Sequence, residues 1–284
     1  MIASTDQTFF LVDGRPQECI PASDRGLAYG DGLFETIRCK NGRAPAWPLH
    51  LQRIASGAEV LGLELDKAVL EAYLDSALSL AGQAQLSDIV IKMLVTRGDG
   101  GRGYLPPVTA KLRTILIIKP YQATLDVDVE LKNCAYRLNH NPTLAGIKHL
   151  NRLEQVLTAR SANLNAHQQG LVFDIDDRII ETLHHNLFLV KNGGLLTSEL
   201  DLCGVAGVLR RAILEQFAPK LGLATSVADV YEQDLQTADE VFICNSVHGI
   251  TPVRQWKDCV CSRGEITERL MQFISRQWNK MYDC

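Results

Sequence analysis

Long apolar runs are missing from this chain. None approaches the roughly 18 residues a membrane-spanning helix needs, so no transmembrane segment is predicted. Met1 to Asp6 lack the basic and apolar regions of a signal peptide, which predicts none and a cytoplasmic protein. An excess of basic charge is missing too: 29 Lys and Arg stand against 33 Asp and Glu, for a net charge of -4. No basic face is implied, which argues against a nucleic-acid partner but leaves room for a local pocket for a small anion. There is no CxxC. The eight cysteines are scattered, and Cys259-Val260-Cys261 is too tight for a zinc knuckle. Reduced thiols are therefore expected. His140, His149 and His248 lack ligand-like spacing, and the adjacent His184 and His185 would face opposite sides of a strand, so no metal site is predicted. The Walker GKS/GKT element, the G-x-G-x-x-G fingerprint and the G-x-S-x-G elbow are all absent, as are internal repeats.

What remains is ordinary globular material: 284 residues, 46% hydrophobic and 22% charged. That length suits one large or two medium domains. Phe9–Val12 and Arg15–Ile20 around Asp13-Gly14 read as a hairpin, as do Leu33–Cys39 and Arg43–Trp47 around Asn41-Gly42. Between them Ser23 to Gly32 reads as a constrained loop. Pro48 opens a helix with Leu51, Ile54, Ala55, Ala58 and Leu61 at helical spacing, and a second helix runs from Leu65 to Ala81. Ile89–Val95 and Thr114–Ile118 read as strands. The polar stretch Lys119 to Thr124 is the predicted linker, giving domains 1–118 and 125–284. The second begins with a strand from Val127 to Arg137 and a helix from Asn151 to Ala166. Hairpins then follow at 171–182 and 186–197, a helix after Gly204-Val205-Ala206-Gly207, further strands at 226–230, 241–244 and 251–255, and a last helix from Glu265. Strands and helices mix without regular βαβ alternation, which predicts an α+β fold.

Five positions could carry chemistry. Lys148 follows Gly146-Ile147 and precedes His149, Leu150 and Arg152, with Glu154 the nearest acid. It is either a surface cation or a chemically used amine, and an apolar, cationic flank favours the neutral form. Glu181 lies near the end of an apolar strand, either edge-exposed or buried against a cation. Gly204 to Gly207 open a helix whose N–H groups suit a phosphate, or simply begin a helix. Asn245-Ser246 end a buried strand and could add donors, or form a polar turn. Arg53 lies beside a buried helical stripe and wants an anion, either a structural carboxylate or a phosphate.

Together these elements resemble the fold-type IV pyridoxal-phosphate enzymes, which include branched-chain and D-amino-acid aminotransferases and aminodeoxychorismate lyases. The resemblance runs from Asp24-Arg25-Gly26 to Thr251-Pro252-Val253. Two stretches are similar to the 4-amino-4-deoxychorismate lyases in particular: Arg97-Gly98-Asp99-Gly100-Gly101-Arg102-Gly103-Tyr104, and Asn141-Pro142 through the Lys148 segment to Val156. The resemblance implies a two-domain fold with pyridoxal 5'-phosphate in the cleft between domains, and a homodimer. It implies Lys148 as the residue linked to the cofactor, Glu181 as partner of the pyridine nitrogen, and Arg53 as phosphate ligand. It implies phosphate donors at Val205, Ala206, Asn245 and Ser246, and substrate contacts at Thr36, Arg97, Arg102 and Tyr104. The implied reaction turns 4-amino-4-deoxychorismate into 4-aminobenzoate and pyruvate, for folate biosynthesis. The alternatives are a D-amino-acid or branched-chain aminotransferase, and a cofactor-binding protein without turnover. Glu35 stands where some of the lyases have a small hydroxyl residue and the aminotransferases commonly have glutamate, which leaves side transaminase activity open.

Overall fold

The computed structural model describes residues 7–122, 128–261 and 263–283. The chain divides into two compact units. The first holds residues 1–122, 147–151 and 280–284; the second holds 123–146 and 152–279. Among the described residues no helix is long and apolar enough to cross a membrane.

The first unit is an antiparallel sheet with helices. Its strands are β1 (Phe9–Val12), β2 (Arg15–Pro16), β3 (Gly32–Lys40), β4 (Asp88–Thr96) and β5 (Arg113–Pro120), in the order β2-β1-β5-β4-β3. Alternation along β3 and β4 puts Leu33, Ile37, Ile91, Met93 and Val95 on a buried face. Helices α2 (Trp47–Leu61) and α3 (Lys67–Gln83) supply Ile54, Ala58, Leu70, Leu74 and Ala77 to the same core. Asp66 caps α3, its side chain accepting from the N–H groups of Ala68 and Val69.

Three sequence expectations change in this unit. The glycine-rich loop contains a short helix, α1 (Arg25–Tyr29), because Asp24 caps it by accepting from Gly26 N–H at 2.8 Å. The strand expected over Arg43–Trp47 does not form: the chain turns at Asn41-Gly42, makes one bridge from Lys40 to Arg43, and enters α2 at Trp47. β3 pairs with β4 instead, over nine consecutive register positions. Finally, Lys119 and Pro120 belong to β5 rather than to a linker, whereas Ala123 and Thr124 lie outside the described residues, as does Val127.

The second unit contains β6 (Val129–Leu138), α4 (Leu153–Ala162), β7 (Gln168–Asp174), β8 (Ile179–Thr182), β9 (Asn186–Lys191) and β10 (Gly194–Ser198). Then come α5 (Val208–Ala212), a π-helical turn (Ile213–Phe217) and α6 (Ala218–Lys220). The chain ends with β11 (Thr225–Ala228), α7 (Glu232–Gln236), β12 (Glu240–Asn245), β13 (Gly249–Trp256), β14 (Cys259–Val260) and α8 (Glu265–Asp283). The strand order is β11-β10-β9-β12-β13-β6-β7-β8, with β14 beside β13. A further pairing of β8 with β9 closes six of these strands on themselves. That closure rests on one register pair, Glu181 opposite Asn186. Trp256, Phe173, Leu189 and Ile243 fill the core inside. Buried on every side, β7, β8, β9 and β12 read as continuous apolar runs rather than alternating ones.

Candidate active site

In the first unit, residues 147–151 run along the outer edge of β3. Phe34 N–H donates to the Lys148 carbonyl and Leu150 N–H to the Gly32 carbonyl, each at 2.9 Å, and Leu33 bridges His149. The segment takes up backbone groups that an edge strand would otherwise leave open. Lys148 thus sits in extended, hydrogen-bonded backbone, and the helix after it starts at Leu153 rather than Asn151. Its Nζ lies 4.4 Å from the centre of the Phe34 ring, an arrangement that attracts an ammonium. Thr36 shares the Phe34 face of β3. Lys92, opposite Thr36 in register, places its own Nζ 4.9 Å from the same ring. Burial, together with Lys119, lowers the Lys92 pKa. Sequence reading missed this second amine, although strand alternation across β3 and β4 could have found it.

The opposite face of β3 carries a buried charge. Glu35 has 0% exposure. Its Oε1 accepts from Arg53 Nε at 2.8 Å, and its Oε2 from Arg53 Nη2 and from His50 Nδ1, the latter at 2.6 Å. His50 and Arg53 are three residues apart on α2, hence on one helix face. Burial raises the Glu35 pKa, but the Arg53 charge and then His50 outweigh it and hold the group down at about 2. Burial also lowers the His50 pKa, against the pull of Glu35. Of the two anions left open for Arg53, the carboxylate is therefore present, and it is Glu35.

In the second unit, Glu181 and Asn186 both grip Val205. Val205 N–H donates to Glu181 Oε2 at 3.1 Å, and Asn186 Nδ2 donates to the Val205 carbonyl at 2.9 Å. Glu181 is 7% exposed, so it is buried rather than edge-exposed. The 204–207 loop lies so close to β8 and β9 that a Cβ at Gly207 would stand 1.9 Å from Asn186 Oδ1, and one at Gly204 2.7 Å from Ile180 Cγ2. Gly146 is stitched to the same loop: its N–H donates to the Gly204 carbonyl, and its carbonyl accepts from Ala206 N–H at 3.0 Å. Asn245 closes the β12–β13 turn, its Oδ1 accepting from the N–H groups of Val247 and His248. Nearby, His185 stands 6.3 Å, ring to ring, from His248. Burial first, then the charges of His184 and His248, push its pKa down to about 3.

The family described as Amino-transferase class IV matches residues 32–256. The chain belongs to that family. It is 37% identical to an aminodeoxychorismate lyase of Vibrio harveyi over 249 residues, which cover 86% of this chain and 90% of the relative. Its fold is similar to the crystal structure of 4-amino-4-deoxychorismate lyase from Pseudomonas aeruginosa, with TM-score 0.88 and 42% identity over 94% of this chain and 98% of that one. A putative branched-chain-amino-acid aminotransferase of Methanocaldococcus jannaschii is 30% identical over 92% of this chain and 93% of its own. The α+β architecture is that of the class IV, fold-type IV enzymes.

Within this class IV fold, the geometry bears on three of the expected contacts. Val205 and Ala206 spend their N–H groups on Glu181 and Gly146, and both precede the helix, whose first residue is Val208. Those bonds shape the loop. The Asn245 side chain likewise serves its own turn, beside Ser246. Arg97 is only 9% exposed: it pairs with Asp31 at 2.8 Å and donates to the carbonyls of Gly62 and Leu61. A guanidinium so placed helps to hold the fold. Arg102 and Tyr104 are exposed, Tyr104 at 86%. Their loop is fixed by Arg25, which sequence reading passed over: it donates to the carbonyls of Gly100, Gly103 and Tyr104 and pairs with Asp31.

Proposed function

We propose that this protein is a pyridoxal-phosphate-dependent lyase that converts 4-amino-4-deoxychorismate to 4-aminobenzoate and pyruvate in folate biosynthesis. The gradient of similarity carries the reading: identity is 37% and 42% to the two lyases and 30% to the aminotransferase, at comparable coverage. The chemistry of the side chains supports the cofactor. Lys148 offers an amine for an aldehyde carbon. Glu181 offers a buried carboxylate, which suits a protonated ring nitrogen. Arg53 offers a guanidinium, which suits a phosphate. When bound, pyridoxal phosphate supplies an electron sink at the substrate's amine carbon. Lys148 would hold the cofactor's aldehyde carbon through its amine and would serve as the general base for the proton on the substrate's amine carbon. Arg102 and Tyr104 on their exposed loop, and Thr36 on the Phe34 face, contact the substrate, the Arg102 fork matching a carboxylate. We place the enzyme in the cytoplasm as a homodimer, acting on a small molecule with no nucleic-acid or membrane partner; family resemblance and a modest acidic charge support this.

Glu35 favours neither this reaction nor transamination, because it lies on the buried face of β3. Purified protein given pyridoxal phosphate and aminodeoxychorismate should release 4-aminobenzoate, read by its fluorescence, with equimolar pyruvate. No 4-aminobenzoate, alongside pyruvate formation from D-alanine and 2-oxoglutarate, contradicts the reading.

A further inference from the structure

A charged residue on the core side of a strand is costly unless it is fully paired. On β3 the buried face carries Leu33, Glu35, Ile37 and Cys39, so Glu35 is its one carboxylate. Both of its oxygens are taken, by Arg53 and by His50. No oxygen points to the face that Phe34, Thr36 and the Lys148 amine share. Lys148 is nonetheless close enough for its charge to be felt at His50. The His50 Nε2 is buried with no hydrogen-bond partner, as expected of a neutral ring whose Nδ1–H is given to Glu35.

A guanidinium is one rigid plane with separate edges for acceptors. A carboxylate fixed on the Nε–Nη2 edge therefore sets the direction of the whole group. Arg53 keeps only 13% of its side-chain surface exposed, so little freedom is left once that edge is held. The carboxylate also offsets the cost of burying the cation.

We propose that Glu35 is a positioning residue for the cofactor: it aims the Arg53 guanidinium at the phosphate of pyridoxal 5'-phosphate while contacting neither cofactor nor substrate. This rests on the cofactor reading given above. It assigns a purpose to the residue that sets this chain apart from lyases with a small hydroxyl there. It also separates two effects of opposite sign. As a counter-charge Glu35 weakens the pull of Arg53 on an anion, and as an anchor it strengthens the fit. Desolvation and the rigid fork make the anchor the larger effect.

The test compares affinity for pyridoxal 5'-phosphate with affinity for pyridoxal, which lacks the phosphate. Both are titrated into apoprotein by absorbance, for the wild type, Glu35→Gln, Arg53→Lys and the double variant. Glu35→Gln should weaken the phosphate form about tenfold, the scale of one charge-assisted hydrogen bond, and leave pyridoxal within about twofold. In the Arg53→Lys background the Glu35 effect should vanish, because Glu35 acts through Arg53. Glu35→Asp, which keeps the charge with a shorter reach, should fold if Glu35→Gln does not, and should show a smaller loss confined to the phosphate form. Equal weakening of both ligands, tighter binding of the phosphate form, or persistence of the effect without Arg53 overturns the proposal. A wild type that binds pyridoxal phosphate no better than pyridoxal overturns it together with the cofactor reading. A wild type with the preference, and variants without the loss, overturns the positioning role alone.

Discussion

Two buried carboxylates, Glu35 in the first unit and Glu181 in the second, are held in different ways. Glu35, in the first, is locked by a guanidinium and an imidazole on both oxygens. Glu181, in the second, is oriented by the backbone N–H of Val205, in a loop that Asn186 grips from the other side. An ion pair cancels the charge it fixes, whereas a backbone amide orients a carboxylate without cancelling it. The first arrangement suits a residue that builds; in the second the main chain of the 204–207 loop sets the direction of the carboxylate.

The largest expected contrast is in stability. Glu35→Ala strands Arg53 and should cost about 3–5 kcal/mol, as breaking a buried pair does. Glu181→Gln retains an oxygen for Val205 and should cost about 1 kcal/mol or less while activity collapses. Urea unfolding midpoints of the two variants decide this; equal losses would erase the comparison. Next comes the Val205 loop itself. Gly207→Ala puts a Cβ into Asn186 Oδ1 and should cost about 1–3 kcal/mol, the range for overpacking a tight site. Its thermal midpoint should fall, whereas that of Gly82→Ala, with open space around it on α3, should not.

The third contrast is in pH. His185 and Glu35 both have depressed folded-state pKa values, so each contributes stability that is present at high pH and lost as pH falls. The window for His185 runs from its ordinary 6.5 down to about 3, and for Glu35 from 4.5 down to about 2. Between pH 6.5 and 5 the second unit should thus lose about 1–2 kcal/mol. His185→Asn should flatten the unfolding free energy over that interval; an unchanged slope would remove the buried histidine from the account. The smallest stability effect belongs to the exposed loop. Arg102→Ala should stay within about 0.5 kcal/mol of the parent while raising KM for the dianionic substrate. Unchanged KM would take Arg102 out of the substrate site.

The candidates for this site came from local patterns in the chain. Lys148 stood out by its flank, Glu181 by its apolar strand, and Arg53 by its place beside a helical stripe. What stayed hidden was non-local. The pairing of Arg97 with Asp31 spans 66 residues, and nothing near either residue announces it. The closure of β8 on β9 needs only one register pair, too little to leave a periodic signal. Arg43–Trp47 was misread because Asn-Gly is a strong hairpin signal, yet Pro48 in the first turn of α2 claimed the segment for a helix. Glu35 fell within a predicted strand, and alternation with Leu33 and Ile37 already placed it on the buried face.

The central claim is that Lys148 is the amine that carries the cofactor. Phe34 makes the claim sharp, since Lys92 also sits over its ring, at 4.9 Å against 4.4 Å for Lys148. The protein loaded with pyridoxal phosphate, reduced with borohydride and digested, should yield one modified peptide, with the added mass on Lys148. Modification of Lys92 instead, with Lys148 recovered intact, would contradict the account.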